Sequence, residues 1–232
     1  MTMTDDASSD DAGPEPAGPD RASFGGDPSG PRPGYPVVLD LTGRHCLVVG
    51  GGPVAARRAA GIVAAGGRVT VVAPRTAAVL DEHPDITVEH RTYRAGEAAQ
   101  YDLVVTATGD VGVDRSVVAD ATAAGILAAG AVASAPGTIR LPAVHRDGPV
   151  TVAVSTGGSS PALARWLLRR ATNALPSRMA TIASLLEEAR QTLRAAGRPT
   201  DSIDWPAVLD EQLVPLVEAG RIDEARAAIG QL

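Results

Sequence analysis

From Tyr35 onward, short apolar runs alternate with longer mixed segments. The runs are "HCLVVG", "RVTVVAP", "ITVEH", "DLVVTATG" and "ILAAG". They are mostly continuous rather than alternating in polarity, and they favour Val and Ile. Strands of that kind are buried on both faces. The stretches between several of them look helical: "PVAARRAAGIVAAGG", closed by Gly66-Gly67, and "VGVDRSVVADATAAG". Strands alternating with helices predict a parallel sheet covered on both sides.

After Gly130 this rhythm stops. "GTIRLPAVHRDGPVTVAVS" reads as two strands around a turn at Asp147-Gly148, an antiparallel hairpin or edge pair. Only helices are expected beyond it. In "SRMATIASLLEEARQTLRAAG", Met179, Ile182, Leu186, Ala189 and Leu193 fall at three- and four-residue steps and form one apolar stripe. The remaining tail continues as short amphipathic pieces. Residues 1–34 have a different character. They are acidic, rich in Pro, Gly and Ser, and almost free of large apolar side chains. Such a segment cannot offset its ordering entropy by burial, so it is expected to be disordered.

Composition narrows the chemistry. Of 232 residues 44% are hydrophobic but only 3% aromatic, so the core must be built from Ala, Val and Leu. The net charge is -6, most of it carried by residues 1–34, where seven acids face two arginines. The rest is nearly neutral, which argues against a nucleic-acid-binding surface. No apolar run approaches the roughly 20 residues of a membrane span. The N-terminus lacks the basic-then-apolar pattern of a secretion signal. A soluble, cytoplasmic protein is expected. Cys46 is the single cysteine, so neither an intramolecular disulfide nor a cysteine-cluster metal site can form; it reads as a buried, inert thiol. The four histidines are scattered, so no metal is expected. The chain has no lysine. That excludes a P-loop lysine, a Schiff-base lysine and the Tyr-x-x-x-Lys pair of short-chain alcohol dehydrogenases.

Two segments have the form of an anion seat. The first is Gly50-x-Gly52-x-x-Ala55, directly after a strand and before a helix. Gly50 permits the turn, Gly52 lets a pyrophosphate approach the backbone, and Ala55 lets the helix pack closely. Unassisted, the pattern also suits a simple tight turn; its place in a strand–helix–strand unit points to a dinucleotide. The next strand ends "VVAPR" with no carboxylate for an adenosine ribose. Arg75 there could face a 2′-phosphate, or be a solvated loop residue. Thr108 and Gly109 end a further strand, where a chain passes beneath a nicotinamide ribose. The second seat is "VTVAVSTGGSSPALARWLLRR", a strand that breaks into Ser155-Thr156-Gly157-Gly158-Ser159 and then enters a helix. Ser160 suits its cap and Pro161 its first turn. Either an anion or no ligand at all fits that pattern.

These segments together resemble the precorrin-2 dehydrogenase and sirohydrochlorin ferrochelatase family, the module found alone or as the front part of siroheme synthase. The resemblance rests on "YPVVLDLTGRHCLVVGGGPVAARRAAGIVAAGGRVTVVAP", "DLVVTATGD" and "RLPAVHRDGPVTVAVSTGGSSPALARWLLR", and covers about residues 35–232. It implies an α/β fold: a Rossmann-type parallel sheet domain at 35–142, a dimerisation and substrate-loop region at 143–175, and a helical C-terminal domain at 176–232, assembled as a homodimer. It implies oxidation of precorrin-2 to sirohydrochlorin with NAD as cofactor. Gly52, Pro53 and Val54 would contact the pyrophosphate, Pro74 and Arg75 the adenosine end, and Thr108 would lie near the nicotinamide ribose. The second seat, residues 155–159, would hold carboxylates of the tetrapyrrole. The family's catalytic aspartate lies in an Asn-x-x-Asp segment after the fifth strand. Here Ser134 stands at that position if the following Ala-Pro is matched, or Val132 if no gap is allowed. Neither ionises near neutral pH, so iron insertion is expected to be weak or absent. Two other classes compete: a non-catalytic NAD- or tetrapyrrole-binding redox sensor, and an unrelated Rossmann oxidoreductase.

Overall fold

The computed structural model describes residues 34–131 and 137–231. The acidic segment up to residue 33 and both Val132 and Ser134 lie outside the described residues.

Five strands form one parallel sheet: β1 (His45–Val49), β2 (Arg68–Val72), β3 (Ile86–Glu89), β4 (Leu103–Thr106) and β5 (Leu127–Gly130), in the order β3-β2-β1-β4-β5. All four pairings are parallel, with Val49 opposite both Val72 and Thr106. The two-residue period of the strands divides the core. Cys46, Val48, Val69, Val71, Leu103 and Val105 pack on one side with α1 (Pro53–Val63), through Ala55, Ala59 and Ile62. Leu47, Val49, Val72, Val104 and Ala128 pack on the other with Val117 and Ala121 of α3 (Val111–Ala123). A short α2 (Ala78–Asp81) lies between β2 and β3. Removal of each large aliphatic side chain from water contributes about 1.5–3 kcal/mol, and small alanines on α1 and α3 let the helices approach the sheet closely.

The expected hairpin forms as β6 (Ala143–Asp147) and β7 (Val150–Val154), antiparallel, with Asp147 opposite Val150. Helix α4 (Pro161–Asn173) packs on it, and α5 (Met179–Ala195), α6 (Trp205–Ala207), a π-helical turn (Val208–Leu213), α7 (Val214–Glu218) and α8 (Ile222–Ile229) follow. The helices from α5 on share a third core around Leu185, Leu213 and Val217. The buried stripe of α5 runs through Ile182, Leu185, Ala189 and Leu193, so Leu185 takes the deep position expected of Leu186, which is only partly buried.

The start of α5 depends on the hairpin. Its N-cap, Arg178, sits in the left-handed region (φ 60) and provides no side-chain cap. The acceptor comes from the hairpin tip instead: the Ala180 N–H donates to Asp147 Oδ2 at 3.1 Å.

Candidate cofactor and substrate sites

Three loops meet where the strand order reverses, at the carboxyl ends of β1, β2 and β4. Gly50 N–H donates to the Val72 carbonyl (3.0 Å), Ala77 N–H to the Gly51 carbonyl (2.8 Å) and Ala107 N–H to the Val49 carbonyl (2.8 Å). In an open α/β sheet this crevice is where ligands bind. Gly50 has φ +130, and a Cβ there would lie 2.3 Å from the Ala107 carbonyl oxygen, so only glycine fits. Gly52 differs. It is the N-cap of α1, no side chain caps the helix among the described residues, and a Cβ on it would meet nothing within 4 Å. Pro53 follows at the first helical position, and Gly52, Pro53 and Val54 are all exposed. An uncapped helix start facing open space is the geometry that receives a phosphate group.

Around this start, Pro74 and Arg75 are exposed at the end of β2, and no ion pair holds Arg75 among the described residues. Thr108 is half-buried and its hydroxyl faces inward. It accepts from Asp110 N–H at 3.0 Å and lies 2.7 Å from Asp114 Oδ1. Thr108 therefore frames the β4–α3 turn with its side chain, and Gly109 beside it is exposed. Sequence reasoning missed Asp114. It is fully buried, and Thr106 also donates to its Oδ1. Asp110 caps α3, accepting from Gly112 N–H at 2.8 Å and Val113 N–H at 3.2 Å.

The second loop is carried by the hairpin and α4, not by the five-stranded sheet. Ser160 caps α4 as expected, accepting from Leu163 N–H at 3.1 Å. Ser160 N–H donates to Thr156 Oγ1 at 3.1 Å, and Gly157 N–H to Ser155 Oγ at 3.2 Å. The Ser155, Thr156 and Ser160 hydroxyls thus hold the loop's own shape. Arg140 runs alongside: a Cβ on Gly158 would lie 3.7 Å from its Nε. No local pattern in the sequence points to this guanidinium at the second seat. Leu163, Trp166 and Leu167 are exposed, so they do not enter this chain's core. Among the described residues no group of three or more His, Cys, Asp and Glu is placed to hold a metal, and no helix is long and apolar enough to cross a membrane.

The single cysteine is buried in β1, and burial pushes its thiol up to about 11. Tyr93 is pushed up to about 12, first by burial; its hydroxyl donates to Asp120 Oδ2 at 2.9 Å.

A parallel sheet with a glycine-rich, uncapped strand-to-helix turn at its switch point defines a Rossmann-type dinucleotide-binding protein. An NAD(P)-binding family model matches residues 37–143, and one for the central part of sirohaem biosynthesis proteins matches 147–170. The chain belongs to the siroheme synthase and precorrin-2 dehydrogenase family. It is 35% identical over 201 residues to a siroheme synthase of Nitrosococcus oceani, covering 84% of this chain and 42% of that protein. With siroheme synthase 1 of Halorhodospira halophila the identity is 36% over 205 residues, covering 85% and 42%. The chain thus spans less than half the length of these relatives. A solved precorrin-2 dehydrogenase, SirC, superposes with a TM-score of 0.68 at 26% identity, covering 85% of this chain and 100% of that one.

Proposed function

We propose that this protein is an NAD-dependent dehydrogenase that oxidises precorrin-2 to sirohydrochlorin in siroheme or cobalamin biosynthesis. The observation that carries the reading is the open, uncapped α1 start at Gly52, in a chain that superposes on the full length of a precorrin-2 dehydrogenase. Gly52, Pro53 and Val54 hold the pyrophosphate, Gly50 shapes the turn beneath it, Pro74 and Arg75 flank the adenosine, and the Thr108–Gly109 backbone supports the nicotinamide ribose. The bound NAD supplies a hydride acceptor. The chain supplies placement: a ring C–H of the substrate loses hydride, and a proton leaves to water. Residues 155–159, with Arg140 beside them, offer donors to substrate carboxylates.

The two cores on the faces of the sheet and the separate core among the helices from α5 on support a cofactor domain at 35–142 and a helical domain at 176–232, with the hairpin and α4 between them as the dimerisation and substrate-loop region at 143–175. Homodimer formation in the cytoplasm belongs to the same reading. The exposed apolar side chains of α4 (Leu163, Trp166 and Leu167), of β6 (Val144) and of the segment just before it (Leu141) support burial against a second copy.

Ser134, or Val132 if no gap is allowed, stands where the family resemblance places the catalytic aspartate, and neither ionises near neutral pH, so the protein dehydrogenates but leaves iron insertion to another protein. Dehydrogenation rests on positioning two carbons; chelation must also take up two pyrrole protons. The test is anaerobic incubation with precorrin-2 and NAD, followed by absorbance, then repetition with ferrous iron. NADH formed with loss of precorrin-2 supports the assignment. NAD binding without turnover would instead identify a non-catalytic cofactor-binding module.

A further inference from the structure

Asp114 combines two observations that a purely architectural role does not reconcile. It is fully buried at the first turn of α3, and three donors converge on one oxygen. The Thr106 hydroxyl donates to Oδ1, as does the Thr108 hydroxyl at 2.7 Å and the Thr108 N–H at 3.2 Å. The other oxygen, Oδ2, is buried and has no hydrogen-bond partner among the described residues. An asparagine could accept the same three bonds through its carbonyl oxygen without burying an acid. What only the carboxylate adds is negative charge, in surroundings where solvent screens it poorly.

That charge lies directly beneath the turn that ends β4. We infer that Asp114 is a positioning residue that also acts electrostatically, locking the Thr106–Thr108 turn and biasing the site toward the oxidised cofactor. The inference rests on the cofactor reading above. NAD+ and NADH share the same pyrophosphate and adenosine and differ at the nicotinamide ring, which is cationic when oxidised and neutral when reduced. A fixed anion below the ribose favours the cation. The protein accordingly holds NAD+ in preference to NADH and discharges the reduced form after hydride transfer.

The experiment measures the dissociation constants of NAD+ and NADH separately, by calorimetry and by NADH fluorescence, for the unmodified protein and for Asp114→Asn. In the unmodified protein NAD+ binds more tightly than NADH. In Asp114→Asn the ratio Kd(NADH)/Kd(NAD+) falls by about three- to tenfold, the range for one charge acting across several ångströms of protein. Loss of turn geometry alone would weaken both forms by the same factor, so an unchanged ratio overturns the inference. Should the variant not fold, the unmodified protein decides: NADH bound as tightly as NAD+, or more tightly, overturns it. Binding of neither form would overturn the cradle assignment itself and this inference with it, which is a distinguishable result.

Discussion

Gly51 lies so close to Arg75 that a methyl group on it would stand 2.0 Å from the Arg75 carbonyl oxygen. The loops after β1 and β2 are in backbone contact there, and the Ala77 N–H to Gly51 carbonyl bond ties them at 2.8 Å. One residue further on, a methyl group on Gly52 would meet nothing within 4 Å. Adjacent glycines therefore have different purposes, one closing the fold and the other opening the crevice.

Substitutions should separate those purposes. Gly51→Ala must push the β2 loop away, and overpacking of this kind costs about 1–3 kcal/mol, visible as a lower Tm. The Cβ of Gly52→Asp meets nothing within 4 Å among the described residues and its carboxylate can cap α1, so stability changes by only a few tenths of a kcal/mol. Its carboxylate blocks and repels the pyrophosphate, so NAD affinity is lost in titration while Tm is kept. Unchanged NAD affinity in Gly52→Asp would remove the first cradle from the site.

Cys46 should be inert to thiol reagents at pH 8 in the native protein, since burial holds its thiol at about 11 and little thiolate forms. Labelling should follow unfolding, with kinetics that accelerate in denaturant. The raised value also links to stability. Between the ordinary value of 9.0 and about 11, the unfolded chain releases a proton that the native one retains. Stability is therefore intact below pH 9 and falls as pH rises through that window. Cys46→Ala should flatten this part of the Tm–pH curve.

Asp147→Ala removes the acceptor for Ala180 N–H and leaves the start of α5 without its cap. A loss of about 1 kcal/mol is expected, measured by denaturant unfolding. Asp147→Asn keeps the acceptor and should recover most of it. Equal losses in both variants would show that the contact is incidental.

Trp166→Asp places a charge on the exposed face of α4, where Arg170 now stacks on the indole at 5.2 Å. The expected outcome is a shift from dimer to monomer in light scattering at micromolar concentration, with secondary structure retained. A monomeric unmodified protein would count against the dimer.

Ser134→Asp supplies an acid at the position where the family resemblance places one when the following Ala-Pro is matched. It should leave NAD binding unchanged and raise ferrous insertion into sirohydrochlorin above that of the unmodified protein. Insertion by the unmodified protein well above the spontaneous rate would show that the serine is no handicap.

Local patterns in the chain suffice for much of this architecture. The five strands of the sheet, the turn at Gly50–Gly52, the hairpin tip at Asp147-Gly148 and the Ser160-Pro161 helix start were all legible, because each depends on neighbouring residues: side-chain period, φ freedom and capping. What the tertiary structure decided involves residues brought together from afar or turned one way rather than another. It placed β1 between β2 and β4 and so put the crevice at Val49 and Thr106. It turned the Thr108 hydroxyl inward to Asp114, a residue that in sequence is an ordinary acid in the first turn of a helix. It exposed the Trp166 face, sank Leu185 rather than Leu186, and gave α5 a cap from a hairpin more than thirty residues earlier. Periodicity states which face of a helix is apolar, but only packing against a particular neighbour determines which side chain goes deepest and which buried acid is left with an oxygen unpaired.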